Sequence, residues 1–184
     1  MFDYTPHLVV PVSERDHAQG PSDAPVTLVE YGDYESAECG QLYPIVKQIQ
    51  AECGPALRFV FRHFPLTQRH RYAEHAAEAA EAAGTQRAFW AMHDLLFASY
   101  GRLDDASLIR YATMVVDDME RFLQEFTTGA LHKRVRDERA GGDRSGINRM
   151  PNFYINGLRY DGPHEYDALL AAIADARSRA RPDS

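Results

Sequence analysis

The strands of this chain stand at its two ends, and residues 65–145 between them carry only helical periodicity. This arrangement restricts the fold more than any other feature. Near the N-terminus, Val26-Thr27-Leu28-Val29-Glu30-Tyr31 is a β-branched run entered after Pro25 and ended by Gly32-Asp33. A helix is predicted from Ser36 to Glu52, because Leu42, Ile45, Val46 and Ile49 recur at i, i+3, i+4, i+7 and Gly54-Pro55 stops it. A second strand, Leu57 to Phe61, follows at a spacing that suits a right-handed β-α-β unit. After the helical stretch, Asn152 to Ile155 and Leu158 to Tyr160 flank Asn156-Gly157, a strong hairpin signal, and a last helix is predicted over Glu165–Arg179. Between the two ends, helices are predicted over Arg71–Ala83, Gln86–Tyr100, Asp105–Val115, Asp117–Thr127 and Ala130–Ala140. The order β-α-β, helical insert, β-β-α predicts an α/β domain divided into residues 1–64, an inserted helical subdomain at 65–145, and residues 146–184.

Charge and cysteine content exclude several classes of function. Twenty-seven acidic against 20 basic residues leave a formal net charge of −7, the wrong sign for a general binder of nucleic-acid backbones. No apolar run reaches the roughly 18 residues of a membrane span. The opening MFDYTPHLVVPVSERDHAQG lacks the charged start, apolar core and cleavage site of a secretory leader, so a cytoplasmic location is expected, with thiols kept reduced. Two cysteines make neither a disulfide framework nor a four-thiolate zinc site. Histidines 63, 70, 75 and 93 show no metal-ligand spacing, and no resident metal is expected.

Chemistry concentrates at the first strand-to-helix junction, Gly32-Asp33-Tyr34-Glu35-Ser36-Ala37-Glu38-Cys39-Gly40. Cys39 lies in the first turn of a helix, where the positive end of the dipole favours a thiolate. Against that stand the neighbouring charge of Glu38 and the tendency of cysteines to be buried as small hydrophobes. Ser36, three residues earlier, is either a helix cap or a functional hydroxyl.

The stretches SERDHAQGPSDAPVTLVEYGDYE, ALRFVFRHFPL, HAAEAAEAAG, FWAMHDLLF and RSGINRMPNFYINGLRYDG arrive in an order that resembles the DsbA-like branch of the thioredoxin-fold superfamily, from about Glu14 to Ile173. The resemblance implies a thioredoxin fold with an inserted α-helical subdomain. It also implies a Cys-x-x-Cys motif at this junction, whose exposed first cysteine attacks a substrate disulfide and whose buried second one resolves the intermediate. Here the motif is Ser36-Ala37-Glu38-Cys39, so the attacking position is a serine. Exchange requires a thiolate, and a serine alkoxide is not accessible near neutral pH without a strong base. Cys53 cannot replace the missing thiol: fourteen helical residues put it about 21 Å from Cys39 at 1.5 Å per residue, beyond the roughly 7 Å limit for a disulfide.

The resemblance supplies three further site residues. Pro151 matches a cis-proline that faces the Cys-x-x-Cys turn in the family. Met150, before it, matches a position that pairs its backbone with an extended substrate and usually holds Thr or Val. Glu30 is either a surface carboxylate at a strand end or the counterpart of a buried acid that assists proton transfer in the family. Three functions are open: a monothiol redox protein acting through Cys39 on protein thiols or disulfides, or on glutathione; a peptide-binding domain without chemistry; and a glutathione-binding enzyme similar to the kappa-class transferases, which place a serine where Ser36 stands. No cofactor other than glutathione is expected.

Overall fold

The computed structural model describes residues 6–147 and 149–180, so the start of the polar N-terminal stretch, Asn148 and the last four residues lie outside it. Among these residues, five strands and seven α-helices follow in the order β1 (His17–Gln19), β2 (Val26–Gly32), α1 (Ala37–Cys53), β3 (Leu57–His63), α2 (Ala73–Gly84), α3 (Phe89–Ala98), α4 (Asp105–Ala112), α5 (Met119–Thr127), α6 (His132–Arg144), β4 (Asn152–Ile155), β5 (Leu158–Tyr160) and α7 (Tyr166–Ala180), with a single 3-10 turn at Gly54–Ala56 between α1 and β3. No described helix is long and apolar enough to cross a membrane. The α/β thioredoxin fold with a helical insertion, expected from the sequence, is the observed architecture.

The chain divides into two compact units. One comprises the described residues up to Gly32, then Gln41–Arg62 and the residues from Gly141 onward; the other comprises Asp33–Gly40 and His63–Ala140.

In the first unit the strands form one sheet in the order β1-β3-β2-β4-β5. Strand β2 lies at its centre and pairs antiparallel with β4, Glu30 opposite Phe153 and Leu28 opposite Ile155. Both faces of this strand are covered, which is why β2 is a nearly continuous apolar run rather than an alternating one. Phe59, Phe61, Phe153, Tyr154, Leu169 and Ile173 are buried with it. The β4–β5 turn uses Asn156 at φ +48° and Gly157 at φ +82°, the pair of positive values that a tight hairpin requires. Asn156 also fastens the hairpin to the neighbouring strand, since its Oδ1 accepts from Thr27 N–H at 2.7 Å. A buried guanidinium closes the edge of this unit. Arg62 donates to both oxygens of Asp16 (2.7 and 3.1 Å), to the carbonyls of Val10 and Pro11, and to Tyr31 Oη.

Strand β1 lacks a sequence signal: His17-Ala18-Gln19 is short and polar, and only pairing with β3 makes it a strand. Helix α6 runs on to Arg144, past the expected stop at Ala140. Gly141 serves close packing there rather than termination, because a Cβ would come within 3.1 Å of Val10 Cγ2.

In the second unit α2 packs against α3, α4 and α5. The buried alanines 76, 79, 80 and 83 of α2 permit that close approach. Helices α4 and α5 start where a side chain caps them: Asp104 accepts from Ser107 N–H, and Asp118 from Arg121 N–H. The start of α5 is therefore Met119 rather than Asp117. Aromatic rings fill the interior, where Tyr34, His63, Phe89, His93 and Phe97 pack edge to face or tilted, and Tyr34 Oη meets His93 Nδ1 at 3.0 Å.

Candidate functional site

The junction between β2 and α1 is held by one buried carboxylate. Asp33 is 2% exposed; its Oδ1 accepts from Glu35 N–H at 2.8 Å, and its Oδ2 accepts from Leu66 N–H and meets His70 Nδ1, both at 2.8 Å. Its carbonyl accepts from Ser36 N–H at 3.1 Å. Glu35 adds a second tie by accepting from Tyr72 N–H at 2.6 Å. Sequence reasoning did not single out Asp33 or Glu35, and it weighed His70 only as a metal ligand. The available signal was the Gly32-Asp33 turn, since Asp in that position commonly bonds the backbone two residues on.

Ser36 is the cap of α1. Its Oγ accepts from Cys39 N–H at 3.3 Å and donates to Glu38 Oε2 at 3.1 Å, and its carbonyl accepts from Gly40 N–H at 3.0 Å. The hydroxyl is thus engaged both as acceptor and as donor, and the residue is only 1% exposed. Glu38 itself is open to solvent. Hydrogen bonds from its own backbone amide and from the Ser36 hydroxyl hold its carboxyl below the usual carboxylate range. Such a carboxylate is too weak a base to ionise a serine. Cys39 is buried completely, at 0% exposure.

Glu30, Met150 and Pro151 belong to the other unit. Glu30 is 3% exposed, and burial raises its carboxyl from 4.5 to about 8, so it carries a proton at neutral pH. Of the two environments open to Glu30, the structure has the buried one. Met150 and Pro151 are buried, the bond between them is cis, and they lead directly into β4. The next residue, Asn152, is buried with its Oδ1 lacking a hydrogen-bond partner among the described residues. Cys53 closes α1 at the edge of an open cavity of about 470 Å³ that is also lined by Leu170, Ile173 and Arg177. Burial, and then the charge of Glu52, push its thiol up. Among the described residues two clusters of metal-ligating side chains occur, His63–Glu81–Glu138 and Glu74–Glu78–His132; neither contains Ser36 or Cys39.

Residues 12–175 match the sequence profile of the thioredoxin family. The Na(+)/H(+) antiporter NhaA 1 of Salinispora arenicola is 46% identical over 178 residues, which is 95% of this chain and 27% of the antiporter. The chain therefore spans about a quarter of the length of the curated relatives it matches. Among solved structures, BdbD from Bacillus subtilis superposes with a TM-score of 0.84 at 20% identity, covering 95% of this chain and 97% of that one. Pseudomonas aeruginosa DsbA2 superposes with a TM-score of 0.67 at 26% identity, covering 89% and 94%. The sheet order, the helical insertion and the matched profile agree, and the chain belongs to the thioredoxin family in its DsbA-like form.

Proposed function

We propose that this chain is a thioredoxin-fold domain that binds extended polypeptide and carries out no dithiol exchange of its own. The burial of Cys39 carries this reading. Exchange proceeds by attack of a thiolate on a disulfide sulfur, and the attacking atom must be reachable. Ser36, at the position the family gives to its exposed nucleophile, offers a hydroxyl already engaged by Cys39 N–H and Glu38. Among the three functions open from the sequence, these contacts favour peptide binding over a monothiol reaction at Cys39. The backbone around Met150 and Pro151 is the proposed peptide-binding element, and protonated Glu30 is a remnant of the proton-transfer machinery. The matched relatives bear the name of a Na(+)/H(+) antiporter, and we take the domain to act as a protein-binding accessory in chains of that kind.

The test is an insulin-reduction assay on the wild type and on Ser36→Cys, which restores Cys-x-x-Cys. The wild type is expected to stay at background and the variant to turn over. Rapid turnover by the wild type would overturn the reading. So would glutathione retained by the purified protein and lost in Ser36→Ala, which would instead mark a glutathione-binding enzyme.

A further inference from the structure

Helix α2 is alanine-rich but carries three carboxylates, Glu74, Glu78 and Glu81, at a spacing that brings them along one face. At its C-terminal end this negative charge is compensated. Arg134 of α6 pairs with Glu81 at 2.5 Å and with Glu138 at 3.6 Å. His63 completes the group, its Nε2 2.9 Å from Glu81 Oε1 and its N–H donating to Glu138 Oε2 at 2.7 Å. A guanidinium already sits among these carboxylates and supplies their cation.

One turn toward the N-terminus of α2 the carboxylates meet an imidazole instead of a guanidinium. Glu78, whose side chain is 8% exposed, and Glu74 approach the same atom, His132 Nδ1, at 2.7 and 3.6 Å. The two basic residues that follow His132 face other partners: Lys133 pairs with Asp137, and Arg134 with Glu81 and Glu138. Among the described residues, no lysine or arginine forms an ion pair with Glu74 or Glu78. Two carboxylates, one of them buried, thus converge on a single imidazole. Like charges held close together repel, and a cation bound between them removes that cost.

We propose that Glu74, Glu78 and His132 form a site for a divalent transition-metal cation of the zinc class. The three donor atoms, drawn from two helices, already lie within 4.8 Å of one another. Bonds of about 2.0–2.2 Å from zinc to nitrogen and oxygen place neighbouring donors of a tetrahedral set about 3.3 Å apart, between the two separations observed. Ligation requires the 2.7 Å contact to open by about 0.6 Å and the proton shared between His132 Nδ1 and Glu78 to be released to water. One imidazole with two carboxylates suits zinc-class ions better than magnesium or calcium, which favour oxygen alone. Ligation through Nδ1 needs the Nε2–H tautomer. The His132 side chain is 41% exposed, so its Nε2–H can donate a hydrogen bond to water, and water can complete the coordination of the ion.

Zn2+ alone, titrated calorimetrically into the full chain, tests this proposal. One equivalent should bind, and Glu74→Gln and His132→Gln should each weaken binding at least 10-fold, the scale that even a supporting residue commands at a metal site. Both side chains are partly exposed, so both variants should keep the wild-type circular dichroism without metal. Cys53→Ser should bind as the wild type does, and Co2+ in place of zinc should give visible absorption without a thiolate charge-transfer band. Absence of saturable binding, affinity unaffected by both variants, or dependence on Cys53 would overturn the proposal.

Discussion

Replacing Glu30 by glutamine should make the protein's stability less dependent on pH, in a direction opposite to the usual behaviour of a native carboxylate. Salt-bridged carboxylates stabilise a fold as pH rises. Glu30 does the reverse, because burial raises its carboxyl from 4.5 to about 8. Below pH 4.5 the group is protonated in both the folded and the unfolded chain, and its contribution is undiminished. Between 4.5 and about 8 the unfolded chain releases the proton while the folded chain keeps it, so stability falls by 1.36 kcal/mol for each pH unit. Above about 8 both states are ionised and the loss is complete. The two values lie about 3.5 pH units apart, which corresponds to about 5 kcal/mol in all, and about 3 kcal/mol by pH 7. Glutamine preserves the shape and removes the titration. Urea unfolding of both proteins, followed by circular dichroism at intervals from pH 4.5 to 8.5, gives the difference directly, and effects of every other titrating group cancel in it. The variant should gain on the wild type steadily across that range. Parallel stability profiles would show that Glu30 ionises normally in the fold and would refute the reasoning.

Loss of the α1 cap in Ser36→Ala should cost about 1 kcal/mol, measured as a lower urea midpoint, with Ser36→Asp closer to the wild type. The same variant should raise the Glu38 pKa in an NMR titration, since one of its two hydrogen-bond donors is gone. Arg62→Met should cost about 3–5 kcal/mol by leaving the buried Asp16 carboxylate without its partner. Removing both charges in Arg62→Met/Asp16→Leu should recover much of that loss, and equal instability of the single and double variants would argue against a desolvated charge as the cause.

The sequence alone determined the order of the elements other than β1 and the residues that stand at the head of α1. β-Branched runs, helical spacing and the Asn156-Gly157 pair act over a few residues, so the local code carries them. The serine at position 36 is equally a matter of reading one letter. Tertiary structure decided everything that depends on what covers a residue. His17–Gln19 becomes a strand only because β3 offers it a ladder. Gly141 lies within a helix because Val10 approaches it, and Glu30 holds its proton because β2 is covered on both faces. The roles of Asp33 and His70 come from a meeting of positions 33, 66 and 70 that no periodicity encodes. Burial and convergence are sums over distant segments, whereas propensity is local; the local signals therefore yield the elements, and packing alone assigns a proton or a partner to each side chain.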